Sequence, residues 1–159
     1  MKISKQQLIE MDACREGLDR FIEQTGNTDE SVEVLSLIGG KNITSDLLWL
    51  AGKTLPREKL VRFACDVALI NIEKIKPYTD KYDLIVEFLK NPTAAAYATA
   101  RDAAAARAAA YAARAARAAA AAVYAAHAGY AGAAHAAATA AGATQEQINE
   151  LLAKMFEGC

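Results

Sequence analysis

Fifty consecutive residues, Ala94 to Ala143, contain no leucine, isoleucine, phenylalanine, methionine, lysine or glutamate. An ordinary amphipathic helix sets large aliphatics on one face and charged residues on the other, and this tract uses neither set. Cysteine is sparse as well: Cys14, Cys65 and Cys159 are odd in number and share no metal-ligand spacing. That count argues against a disulfide framework and for reduced thiols in a cytosolic protein. The opening Met1-Lys2-Ile3-Ser4-Lys5 has no apolar leader core. No run reaches the ~18 large apolar residues of a membrane span, so a cytoplasmic location and no membrane partner are expected. No Gly-rich phosphate loop, paired-histidine metal helix or nucleophile motif is present, so no enzyme and no cofactor are expected. The two histidines, His127 and His135, lie eight apart without a carboxylate at matching spacing, which argues against zinc. Period-two alternation, the mark of a half-buried strand, is lacking throughout.

What is present reads as helix. Ser4 with Gln7 forms a capping box ahead of Leu8 and Ile9. A second helix over about Arg15 to Gln24 stops at Gly26-Asn27. Thr28 and Asp29 can start a short helix carrying Val32, Val34, Leu35 and Ile38, closed by Gly39-Gly40. Thr44 or Ser45 caps Leu47-Leu48-Trp49-Leu50. Pro56 opens a helix to about Ile75, apolar on most sides and therefore central, with Trp49 and Cys65 read as core. Another helix runs from Asp80 to Leu89. Thr144 with Gln147 begins the last, carrying Ile148, Leu151, Leu152 and Phe156. The expected architecture is all-α, a compact bundle of six to eight helices in one domain over residues 1–159. Conventional helices fill 1–90, alanine-rich helices 91–143 and a C-terminal helix 144–157.

In the tract, 33 of 50 residues are alanine, the strongest helix former. Asn91-Pro92 restarts the chain as cap and first helical residue. One uninterrupted helix of about 48 residues would span roughly 70 Å. A domain of this size has a radius of gyration of about 15 Å, so a turn is expected, between Ala118 and Ala122 or near Gly129. The long side chains of the tract are arginine, tyrosine and histidine. Arg107, Tyr111 and Arg114 follow i, i+4, i+7 and share a stripe. Arg101 lies one turn beyond Tyr97, Arg117 and Tyr124 are seven apart, and Tyr124, His127 and Tyr130 follow i, i+3, i+6. Guanidinium forks grip phosphate, and tyrosine or histidine rings stack on a base. These nine residues are the candidate binding set for a small anionic, nucleotide-like ligand. A structural role accounts for them too, with arginine keeping the helix solvated and tyrosine supplying packing area.

Charge points the same way. The tract holds four arginines and Asp102; removing them from the chain's 18 basic and 19 acidic residues leaves 14 and 18. A cationic segment inside a mildly acidic protein suits a small anion better than a polyanion. Nucleic-acid binders show a basic footprint over the whole domain, so nucleic acid is not an expected partner.

Three stretches carry a resemblance: Met1-Lys2-Ile3-Ser4-Lys5-Gln6-Gln7-Leu8 with Ala13-Cys14 and Gly17-Leu18; Leu48-Trp49-Leu50 before Arg57-Glu58-Lys59-Leu60-Val61-Arg62-Phe63-Ala64; and Lys90-Asn91-Pro92-Thr93 leading into Ala/Tyr/Arg repeats. In this order they resemble a family of small alanine-rich phage and bacterial proteins labelled immunity proteins. The resemblance implies an accessory phage protein acting in the host bacterial cytoplasm. Phages make small oligomeric proteins that sequester the nucleotide signals of bacterial immunity. The expectation is therefore a non-catalytic homo-oligomeric sponge for a cyclic ADP-ribose type signal or a cyclic dinucleotide. The rival expectation is an immunity-type module that caps a toxin or other protein, with an acidic or hydrophobic face in residues 1–90 doing the binding.

Overall fold

The computed structural model describes residues 1–78, 80, 82–92 and 142–158. These are mostly helical: α1 (Lys5–Glu10), α2 (Arg15–Thr25), α3 (Thr44–Thr54), α4 (Arg57–Leu69), α5 (Tyr82–Lys90) and α6 (Gln145–Phe156). Two 3-10 segments, Val34–Leu37 and Ile72–Tyr78, and one pair of two-residue strands complete the order. The expected all-α bundle is thus observed, with a minor β addition. The expected alanine-rich helices, and the turn between them, lie outside the described residues.

Local capping fixes the ends of several helices. Ser4 accepts from the Gln7 N–H at 3.2 Å while the Gln7 side chain accepts from the Ser4 N–H at 2.9 Å. Thr144 and Gln147 repeat this at α6. Both boxes satisfy backbone donors that have no partner within their own helix. Gly26 ends α2 in the left-handed region at φ 75°, where a Cβ would be strained.

Two expectations are corrected. Residues 28–38 do not form one continuous helix: Val32–Glu33 (β2) pairs antiparallel with Lys2–Ile3 (β1), Lys2 opposite Glu33, and helical turning is confined to the 3-10 segment Val34–Leu37. The Val34 N–H then donates to the Met1 carbonyl at 2.9 Å. This remote partner takes the backbone groups that a local helix would have used. The helix from Pro56 ends at Leu69 rather than about Ile75, and a 3-10 segment containing Pro77 follows it.

At α3, Ile43 is the cap residue, in place of Thr44 or Ser45. The Asp46 carboxylate accepts from the Ile43 N–H at 3.1 Å, whereas the Thr44 hydroxyl accepts from Gln145 Nε2 at 3.0 Å and ties α3 to α6. The breadth of apolar surface on α4 has its expected consequence. Leu60, Val61, Phe63, Ala64, Cys65, Val67 and Ala68 are all buried, and α4 packs against α3, α5 and α6. Phe21, Phe88, Phe156, Leu48 and Leu152 fill the core around it. Among the described residues, no helix is long and apolar enough to cross a membrane.

Candidate functional site

Tyr97, Arg101, Arg107, Tyr111, Arg114, Arg117, Tyr124, His127 and Tyr130 lie outside the described residues, as do Asp102 and His135. Two other concave sites are built from described residues.

The first is a cavity of about 250 Å³ between the α1–α2 turn, α2 and α3. Its floor is the core itself: Leu8, Phe21, Leu37, Leu47 and Leu50 are buried there. Trp49 forms part of the wall, only partly buried, with the Lys53 ammonium 5.7 Å from its ring centroid. The indole is therefore at the edge of the core, not inside it. Asp12, Cys14, Asn42, Ser45 and Asp46 supply the polar part of the lining.

The polar wall is set by one carboxylate. Asp46 accepts two parallel bonds from Arg20, Nε to Oδ2 and Nη2 to Oδ1, both 2.7 Å. Its side chain is 14% exposed and that of Arg20 28%. Fork-to-fork geometry of this kind fixes both planes. Hydrogen bonding to Asp46 raises the guanidinium pKa above its ordinary value, against the opposing pull of desolvation. Arg20 and Asp46 are thereby committed to each other, and α2 is locked to the start of α3. The close approach depends on Gly17, where a Cβ would sit 3.3 Å from both Asp46 Oδ1 and Cys14 Sγ. Cys14 caps α2, its sulfur accepting from the Gly17 N–H at 3.4 Å.

The second concavity, about 450 Å³, lies between α4 and α6 and is lined by Glu58, Lys59, Arg62, Phe63, Asp66, Leu151, Lys154 and Met155. Most of its charge is already engaged. Lys59 Nζ donates to the carbonyls of Met155 and Glu157. Arg62 holds Asp66 and donates to the Lys90 carbonyl. These partners make the groove a helix-to-helix clamp more than an anion seat.

Sequence reasoning placed none of the first cavity. Its lining comes from residues up to 42 positions apart in the chain, Leu8 to Leu50. The available signal was Asp46 at the third position of a helix starting at Thr44, a place where a carboxylate commonly turns back on the backbone. Cys65 is buried as expected, and burial pushes its thiol up to about 12. Among the described residues, no group of three His, Cys, Asp or Glu side chains could hold a metal ion. No protein-family model, curated protein or solved structure matches the chain.

Proposed function

We propose that this protein is a non-catalytic binder that sequesters a small nucleotide-derived immune signal, of the cyclic ADP-ribose or cyclic dinucleotide type. The observation that carries this is the make-up of residues 94–143, where the long side chains are arginine, tyrosine and histidine at helical spacing and lysine and glutamate are missing. Lysine and glutamate favour helix as well as arginine does, so helix formation alone does not explain their absence. Arginine recognises phosphate through two parallel bonds, and tyrosine rings offer a stacking face. Alanine on the remaining surface permits helix axes to approach at the short end of the ~8–10 Å range, which suits a rigid seat. Homo-oligomer formation belongs to this proposal, and light scattering after gel filtration measures it.

Thermal shift with a panel of cyclic dinucleotides and ADP-ribose derivatives tests the reading. A ligand at 100 times its dissociation constant adds about 2.7 kcal/mol to stability. Arg107→Ala, Arg114→Ala and Tyr111→Ala should each abolish the shift and leave helical content unchanged. No response across the panel rejects the sponge.

A second reading, the immunity-type module that caps a protein, has its own support in residues 1–90. Ile9, Leu35, Ile43 and Leu84 are large apolar residues with 42–51% of their surface exposed. Glu10, Asp12, Glu16 and Asp19 crowd an acidic stretch in which Arg15 is the one base. Exposed apolar residues beside charge are common where proteins meet.

A further inference from the structure

We propose that the cavity between α1, α2 and α3 is a socket for one large apolar side chain carried on a basic segment of a partner protein. This rests on the second reading and supplies its partner chemistry. It is independent of the alanine-rich tract.

Three observations converge on that occupant. The cavity floor is apolar and continuous with the core through Leu8, Phe21, Leu37, Leu47 and Leu50. A depression of this kind takes an aliphatic or aromatic group, and such filled pockets dominate the energetics of protein interfaces. Secondly, two exposed apolar residues stand next in the chain to lining residues. Leu8 and Asn42 line the cavity, and their chain neighbours Ile9 and Ile43 are 46% and 51% exposed. A small molecule confined to the cavity would leave both isoleucines in water, whereas a protein segment can cover them.

The third observation is charge. Asp12 lines the cavity, and Glu10 and Glu16 flank it along the chain. Glu10 accepts from the neutral Gln6 amide, and among the described residues no ion pair engages Glu10, Asp12 or Glu16. Of the nearby cations, Arg20 is held by Asp46 and Lys5 by Asp29, Arg15 stands 3.9 Å from Asp19, and the Lys53 ammonium lies over the Trp49 ring on the cavity wall. Asp12 on the lining, with Glu10 and Glu16 near it in the chain, therefore leaves an excess of negative charge beside an apolar cavity. Complementary potential favours a basic partner and repels an acidic one. Lysine or arginine flanking the inserted side chain would meet these carboxylates as the side chain enters.

The full chain reports on its own socket, because Trp49 is its sole tryptophan and lines the cavity wall. A phage-displayed library of random 12-residue peptides without tryptophan is selected against the folded protein, and the winners are synthesised. The expected winners carry one Leu, Ile, Met or Phe flanked by at least two Lys or Arg, and shift Trp49 emission saturably. Asp12→Asn with Glu16→Gln should weaken them about fivefold at low salt. That gap should close at 1 M salt, where the Debye length is about 3 Å. Asparagine tolerates the left-handed backbone at residue 12, φ 60°, so this variant should fold. Ala13→Phe, which fills the socket from its rim, should abolish binding, with circular dichroism confirming the fold. Neutral or acidic winners, binding without a Trp49 response, binding untouched by both variants, or no enrichment at all would each overturn the proposal. The nucleotide panel probes a different segment, so either test can fail alone.

Discussion

The side-chain amide of Gln24 occupies the space that a Cβ on Gly40 would need. A Cβ built there falls within the van der Waals envelope of Gln24 Nε2, Cδ and Oε1. The amide is held in place by its own bonds. Gln24 Oε1 accepts from the Lys41 N–H at 2.7 Å, the Asn42 N–H at 3.2 Å and Asn42 Nδ2 at 3.1 Å, while Nε2 donates to the Ser36 carbonyl at 2.9 Å. One side chain on α2 thus gathers the backbone leading into α3, including the buried Asn42. Gly40→Ala should displace the amide and cost about 1–3 kcal/mol, since several of its partners lose a bond at once. In a Gln24→Ala background the same substitution should be close to neutral. Urea denaturation of the four proteins gives the coupling, expected within the ~0.5–3 kcal/mol typical of contacting residues. Additive costs would show that Gly40 is needed for some other reason.

Cys65 makes stability fall at alkaline pH. Its thiol is pushed up to about 12 by burial, from an ordinary value of 9.0. Between those values the folded state keeps a proton that the unfolded state releases, so stability is full below pH 9 and declines above it. At pH 10 the loss assignable to this thiol is on the order of 1 kcal/mol relative to pH 7. Tyr82, also raised to about 12, first by its hydroxyl's bond to Glu73, adds in the same direction only from about pH 10 upward. Cys65→Ala should show a smaller difference between pH 7 and pH 10 by that amount, measured by chemical denaturation. Parallel curves for the two proteins would contradict the assignment.

Thiol accessibility separates the same cysteine from Cys14. Cys14 is exposed and Cys65 buried. Iodoacetamide on the native protein should label the Cys14 peptide promptly and the Cys65 peptide only after denaturant is added. Mass spectrometry of the digest reads both. Prompt labelling of Cys65 would mean that α4 opens locally well below the global unfolding free energy.

What could be read from the sequence was the chemistry that acts over three or four residues. Ser4 with Gln7 and Thr144 with Gln147 stand where expected because each box needs only its own turn. The central role of α4 was legible because its apolar residues cover more than one face. Val32–Glu33 was misread because its partner, Lys2–Ile3, lies thirty residues away and leaves no local trace. The Gln24 hub and the cavity beside Asp46 were hidden for the same reason, their contacts joining residues 12 to 26 apart. Helical spacing could group the arginines and tyrosines of the tract, but which groups face each other depends on a turn that spacing does not fix.

Asp46 should matter through two bonds at once. Asp46→Ala removes the acceptor for the Ile43 N–H and leaves Arg20 without its fork. The capping loss alone is worth about 0.5–2 kcal/mol. Arg20→Lys keeps the charge but not the two parallel bonds, so melting temperatures should rank wild type above Arg20→Lys, and Arg20→Lys above Asp46→Ala. If the two variants melt together, the carboxylate's bond to Ile43 contributes nothing.

Two lysines near the end of α6 should behave differently. Lys59, in the first turn of α4, donates to the Met155 carbonyl at 3.0 Å and the Glu157 carbonyl at 2.9 Å. Carbonyls at a helix C-terminus lack partners within the helix, and a cation there is favourable by roughly 0.3–1 kcal/mol. Lys154, in the last turn of α6, is exposed and makes no ion pair or hydrogen bond among the described residues. Lys59→Met preserves the stem and removes the bridge. It should cost about 1–2 kcal/mol and speed hydrogen exchange along α6, whose Ile148, Leu152, Met155 and Phe156 are otherwise buried. Lys154→Met should stay within about 0.5 kcal/mol of wild type. Equal effects would assign the stabilisation to the general field at the helix end rather than to the span between α4 and α6.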